Sequence, residues 1–257
     1  MRDGGEGAAA LSVEGLTRRF GGLVAVDNVS FELPARRLNA IIGPNGAGKT
    51  TLFNLITGEI RPDAGRVRIR GHDITGLKPH QIVRRGVSRT LQIKSVFSGL
   101  TVAENVRAAV MVHEGIASPF RPADSYGAVS RRVEDLVAQV GLTPHMHARA
   151  SALSYGDIAL LEIALALANE PRLLLLDEPV CGMGPQETEQ TVAKIREIAA
   201  SVDVVLIEHD MEVVFAIADE IIVMTQGAIL ARGTPAEISN SAEVQEAYLG
   251  APEEADL

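Results

Sequence analysis

Within the stretch LNAIIGPNGAGKTTLFNLI, four residues keep the spacing G-x-x-x-x-G-K-[ST]: Gly43, Gly48, Lys49 and Thr50. Residues in this order can handle phosphate. The glycines let the backbone fold so that several N–H groups converge on phosphate oxygens, and a following helix adds the partial positive charge of its N-terminus. Lys49 is placed to reach β- and γ-phosphates, and the Thr50 hydroxyl to coordinate Mg²⁺. A chance glycine-rich turn would show the same letters. The apolar run before it and the helical spacing after it are the context that the motif requires.

A second set of reactive groups ends a greasy run. LLLLDEP places Asp177 and Glu178 at the end of an apolar strand, the edge at which open parallel sheets bind ligands. Asp177 could hold the metal and Glu178 could polarise an attacking water. Two acids that merely terminate a strand and cap the next helix would look alike, and the phosphate loop in the same chain favours the catalytic reading. His209 follows the strand DVVLIE and reaches the same kind of edge, where it could hydrogen-bond a γ-phosphate or simply face solvent.

The elements that must position these groups change character along the chain. From Leu11 to about Arg70, β-rich runs dominate, interrupted by a helix over roughly Lys49 to Thr57. About residues 98 to 170 are helical: Thr101-Val-Ala-Glu104 has the form of a capping box, SRRVEDLVAQVGL stops at Gly141, and ALLEIALALAN continues the theme. After Pro171, continuous apolar strands alternate with helices, which indicates a parallel sheet covered on both faces. QGAILARG reads as a hairpin, and Thr234-Pro-Ala-Glu237 as the cap of a last helix.

Composition narrows the function classes. The chain has 257 residues, 46% of them hydrophobic and 22% charged, so it can bury a sizeable core without staples. A single cysteine, Cys181, allows no internal disulfide and suits a reducing compartment. The net charge of −9 opposes nucleic-acid binding. The first residues lack a signal-peptide pattern, and no window holds the about 18 uncharged apolar residues of a membrane span. A protein neither exported nor membrane-spanning is therefore expected, one that could still dock on something that spans.

The order of parts is diagnostic. Phosphate loop, Gln92 after SRTL, helical insertion, LSYGD (residues 153–157), LLLLDE, then His209: this resembles the ATP-binding cassette (ABC) ATPase family, from about Leu11 to Gly250. The resemblance implies an α/β fold, a P-loop NTPase (RecA-like) core with an antiparallel β subdomain and a helical subdomain. Residues 11–250 would form one domain, with 11–92 and 171–250 as nucleotide-binding core and 93–170 as helical subdomain; 1–10 and 251–257 would be tails. It implies ATP and Mg²⁺ as cofactors, Asn45, Gly46 and Thr51 in the cradle with the residues above, and Phe20 stacked on adenine. Gln92 would sense metal and water and contact a transmembrane partner. In such cassettes LSYGD covers ATP held by a second copy, so Ser154 and the N–H of Gly156 would act in trans. The implied assembly is a homodimer or heterodimer of cassettes on two transmembrane permease subunits, at the cytoplasmic face of a membrane and served by an extracytoplasmic solute-binding protein.

Finer likeness, in FGGLVAVDNVSF, LLLLDEPVCGMGPQET, IEHDM and GTPAEISNSAEVQEAYLG, is to uptake cassettes for branched-chain amino acids, with urea and amide cassettes closely similar. Two departures stand out. The signature helix begins Asp157-Ile-Ala-Leu instead of glutamine and basic residues, with Ile158, Ala159 and Leu160 suited to core or to docking. After the catalytic glutamate, Cys181-Gly-Met-Gly-Pro185 has no aspartate of the kind that signals across the dimer. Cys181 is expected to be a small packed residue. His145-Met-His147 finds no third ligand in the sequence and reads as a solvated loop.

Overall fold

A computed structural model describes residues 9–90, 96–116 and 127–249. Gln92 lies outside them, as do residues 117–126 of the polar stretch and most of the two expected tails. The chain forms two compact units, Met1–Arg85 with Asp203–Leu257, and Gly86–Val202.

The first unit opens with β1 (Leu11–Phe20), β2 (Leu23–Leu33), β3 (Leu38–Ile42), α1 (Lys49–Ile56), β4 (Ala64–Ile69), β5 (His72–Asp73) and α2 (Pro79–Val83). The second unit contains β6 (Val87–Arg89), α3 (Val102–His113), α4 (Gly127–Gln139), α5 (Tyr155–Leu167), β7 (Leu173–Asp177) and α6 (Pro185–Ala199). The chain then completes the first unit with β8 (Asp203–Ile207), α7 (Met211–Ile217), β9 (Glu220–Thr225), β10 (Ala228–Gly233), α8 (Pro235–Ser239) and α9 (Ala242–Leu249).

Two sheets organise the first unit. One is antiparallel, in the order β2-β1-β4-β5. In the other, β8 and β9 flank β3 in parallel and β10 closes the edge antiparallel to β9. Every residue of β3 and β8 is buried, which is why their sequences run apolar without alternation. Two acids, Asp203 buried and Asp219 exposed, tie down where these strands begin. Asp203 accepts from the Arg36 N–H at 2.6 Å and from Arg70 Nη2 at 2.7 Å, and Asp219 accepts from the Leu38 N–H at 2.8 Å. The expected hairpin is the β9–β10 pair, turning at Gln226 and Gly227 in the left-handed region.

In the second unit β6 and β7 pair in parallel, and β7 is buried throughout. Both expected capping boxes are present. Thr101 Oγ1 accepts from the Glu104 N–H while Glu104 Oε2 accepts from the Thr101 N–H; in the first unit, Thr234 and Glu237 make the same reciprocal pair. Buried Asn105 adds a clamp that the sequence did not announce. It accepts from the Phe97 N–H at 2.8 Å and donates to the carbonyls of Phe97 at 3.1 Å and Thr101 at 2.9 Å, fixing the approach to α3. Helix α4 ends where predicted, with Gly141 at φ +81°.

Two expectations need correction. The helix that Thr234 caps is not the last, because the chain turns after Ser239 and forms α9. Cys181 is exposed, not packed. It lies in the turn between β7 and α6, where its N–H donates to the Glu178 carbonyl at 3.2 Å and Gly182 adopts φ +78°, and that geometry carries it outward.

Candidate functional site

In the first unit the phosphate loop leaves the buried end of β3 and enters α1. Three glycines shape it for different reasons. A Cβ on Gly43 would lie 2.1 Å from the Met224 carbonyl oxygen, and one on Gly48 would lie 2.3 Å from that of Ala25, so both are required by the close approach of neighbouring backbone. Gly46, at φ +78° with open space around it, is required by its torsion alone. The loop is tied down by the Gly227 N–H donating to the Ala47 carbonyl at 3.0 Å and by the Asp27 N–H donating to the Gly227 carbonyl at 2.8 Å. Lys49 is buried and donates from Nζ to the carbonyls of Gly43 at 2.6 Å and Pro44 at 3.1 Å. These charge-assisted bonds hold its ammonium over the loop. The N-cap of α1, Gly48, has no side chain to satisfy the first-turn N–H groups, and no acid stands in that turn, so the helix start suits an anion. Asn45, Gly46 and Thr50 are exposed around it and Thr51 is half-buried.

Two more predicted residues belong to this unit. Phe20, at the end of β1, is exposed, with the Arg18 guanidinium 4.8 Å from its ring centroid. Asp63 anchors that arrangement by accepting from Arg18 Nη1 at 2.9 Å and from the Arg19 N–H at 2.7 Å. His209 follows β8. Because β8 pairs in parallel with β3 (Ile41 opposite Ile207), His209 leaves the sheet at the edge from which the phosphate loop springs. Its side chain is 57% exposed, and its N–H donates to Oε2 of fully buried Glu208 at 3.1 Å. Tyr248 of α9 rests its phenol near the backbone of Gly43. Burial pushes that phenol up to about 12, against the opposing pull of Gly43, so it stays neutral at physiological pH; the contact falls short of a normally formed hydrogen bond.

In the second unit the two acids differ sharply. Asp177 is buried, its Oδ2 2.5 Å from Arg89 Nη2, while its N–H donates to Thr90 Oγ1 at 3.3 Å. Its other oxygen, Oδ1, is buried with no hydrogen-bond partner. Glu178 is half-buried and sits at φ +50°, a left-handed conformation that costs a non-glycine residue about 1 kcal/mol or more. The signature residues lie at the start of α5. Ser154 is its N-cap and accepts at Oγ from the Asp157 N–H at 3.2 Å, which leaves the exposed hydroxyl's own proton available for a ligand. Gly156 is buried against α6, where a Cβ would lie 3.4 Å from both Glu187 Cβ and Thr191 Oγ1. Its N–H nonetheless falls in the first turn, beyond reach of the helix's own carbonyls. Of the unusual residues that follow, Ala159 is buried and Ile158 and Leu160 are half-buried; Asp157 Oδ2 lies 4.0 Å from His145 Nε2.

The family model described as ABC transporter matches residues 26–181. The chain belongs to the ABC transporter family. A second model, described as branched-chain amino acid ATP-binding cassette transporter, matches residues 228–254 of this ABC chain. Among curated proteins, the high-affinity branched-chain amino acid transport ATP-binding protein LivG of Salmonella typhimurium is 42% identical over 248 residues, covering 93% of this chain and 97% of that one. The protein BraF of Pseudomonas aeruginosa, described in the same words, is 41% identical over 249 residues, with 93% and 97% covered. A solved nucleotide-free ATP-binding cassette from an ABC transporter is 29% identical at a TM-score of 0.84, covering 93% of this chain and 98% of its own. A second solved structure, the ADP conformation of an ATP-binding cassette of an ABC transporter, is 30% identical at a TM-score of 0.81, covering 94% of this chain and 99% of its own. This chain is thus an ABC ATPase with the expected α/β cassette fold. No helix among the described residues is long and apolar enough to cross a membrane. Sequence reasoning on this ABC chain missed Arg89, Thr90, Arg18, Glu208 and Tyr248, whose roles rest on contacts distant in sequence or on burial.

Proposed function

We propose that this ABC ATPase energises an importer of branched-chain amino acids. What carries the reading is agreement along 93% of the chain with two relatives named for that transport, joined to the separate match of residues 228–254. The chain would act on the cytoplasmic face of a membrane, as one of two cassettes on two permease subunits, with an extracytoplasmic protein delivering the solute.

Each unit's own geometry supports a division of labour over ATP. The phosphate-loop N–H groups and Lys49 bind the β- and γ-phosphates, and the open face of Phe20 stacks on adenine. Thr50 and Asp177 are suited to Mg²⁺: a hard cation takes oxygen ligands, and the buried, unpartnered Oδ1 of Asp177 is such an oxygen. Bound there, the ion would supply charge neutralisation to the phosphates. Glu178 takes the proton of the attacking water, and His209 donates to the γ-phosphate. Gln92 would report the state of the nucleotide to the permease. From a second cassette, the Ser154 hydroxyl and the Gly156 N–H would grip the γ-phosphate.

A site completed only by a second copy has a kinetic signature. Phosphate release per chain should rise with concentration for the isolated protein, and should saturate once permeases hold two copies together. A rate strictly proportional to protein at every dilution would overturn the shared site. The solute is tested separately, by reconstituting the co-purified membrane partners and adding binding protein loaded with leucine, isoleucine or valine. Stimulation of ATPase by these is expected; stimulation by urea or short amides alone would reassign the solute.

Phe20→Ala should weaken ATP binding by about 10- to 100-fold, since aromatic–base stacking contributes about 1–3 kcal/mol per base, while Phe20→Tyr should bind nearly as well as the parent. Equilibrium titration with a fluorescent ATP analogue measures both. Equal affinity for all three proteins would remove Phe20 from the site.

A further inference from the structure

Asp177 is a carboxylate whose two oxygens are treated unequally. Oδ2 is 2.5 Å from Arg89 Nη2, in a pair whose side chains are only 1% and 10% exposed. Oδ1 is equally shut off from solvent and has no hydrogen-bond partner. The backbone beneath is also fixed: the Asp177 N–H donates to Thr90 Oγ1 at 3.3 Å, and the Thr90 N–H donates to the Leu175 carbonyl at 3.0 Å. The parallel register of Arg89 opposite Leu175 sets this spacing, so Arg89 at the end of β6 holds the side chain of Asp177 and Thr90, just beyond it, holds its backbone.

A buried carboxylate held only by an undirected charge could rotate about its Cβ–Cγ bond, leaving the direction of its second oxygen unset. A guanidinium does more than balance charge. It is planar, its donors diverge at fixed angles, and it binds in a preferred direction, which an ammonium does not. Carboxylates that ligate metals are commonly oriented in this way by a partner on the oxygen that does not ligate, and losing such a partner weakens the metal more than the fold.

We propose that Arg89 is a positioning residue for the metal of the ATP complex. It restrains Oδ2 so that Oδ1 alone is presented as a one-oxygen ligand of fixed direction. This rests on the proposed role of Asp177 toward Mg²⁺. Arg89 touches neither nucleotide nor water in this scheme and acts only through Asp177.

The test compares nucleotide affinity with and without the metal. Arg89→Lys keeps a buried positive charge beside Asp177, preserving the fold, but gives up the planar fork. ATP affinity is measured by titration calorimetry in EDTA and again in saturating Mg²⁺, for the parent, Arg89→Lys, Asp177→Asn and the double variant. Mn²⁺ binding to the ATP complex is followed in parallel by electron paramagnetic resonance. The expected result is an unchanged affinity in EDTA and a Mn²⁺ affinity lowered about 10- to 100-fold for Arg89→Lys. The double variant should be no worse than Asp177→Asn alone. An equal loss with and without metal, or a Mn²⁺ affinity rescued by lysine, would overturn the positioning role and leave Asp177 as metal ligand. A parent protein whose ATP affinity does not respond to Mg²⁺ would overturn both.

Discussion

Glu178→Gln should bind ATP as well as the parent and release phosphate about 10²- to 10⁴-fold more slowly, the usual contribution of a positioned general base. The substitution is nearly isosteric. It keeps the half-buried setting and the left-handed backbone of residue 178, and it removes only the ability to take a proton. The trapped ATP should then act as glue between two cassettes. Single-turnover phosphate release and light scattering with ATP measure the two halves of the expectation. Full-speed hydrolysis by the glutamine variant would remove Glu178 from the chemistry. The torsion of Glu178 also fits the assignment: unfavourable backbone at an acid beside a candidate metal ligand is where folds commonly tolerate strain for function.

Gly48→Ala should be a severely damaging single methyl in the phosphate loop. At φ +98° the residue is already in a region that disfavours a side chain, and the new Cβ would lie 2.3 Å from the Ala25 carbonyl oxygen. Because backbone is the obstacle, no side chain can turn aside. Either β2 or the phosphate loop must move, and the loop is tethered to Gly227 and, through it, to Asp27. A loss of about 3 kcal/mol in unfolding free energy is expected from strain and clash combined, together with loss of ATP binding. Gly46→Ala supplies the contrast. It meets nothing within 4 Å, so only its torsion is penalised, at about 1 kcal/mol. Urea unfolding midpoints separate the two; equal midpoints would show that packing around Gly48 does not matter.

What the sequence discloses is local. The capping boxes at Thr101 and Thr234, the stop at Gly141, the hairpin at Gln226-Gly227 and the phosphate loop each depend on residues a few positions apart, whose chemistry dictates the backbone there. The continuous apolar runs revealed β3, β7 and β8 because a strand covered on both faces admits few polar residues. Contacts between distant residues left no such trace. Arg89 and Asp177 are separated by 88 positions, and nothing in SRTL distinguishes an arginine that pairs inward from one that faces water. The same holds for Arg18 over Phe20, whose position depends on Asp63, and for Tyr248 beside Gly43. Cys181 was misread because cysteines are often buried, whereas its place in a turn decided the outcome.

The paired threonine–glutamate locks at the starts of α3 and α8 respond to acid. In each, the threonine backbone N–H and then its hydroxyl hold the glutamate carboxyl below the ordinary glutamate range. A carboxyl depressed in the folded state contributes stability that is fully present above its unfolded value and lost as pH falls through the folded one. Both fasteners therefore stay shut across the neutral range, and they open only in acid stronger than a free glutamate would need.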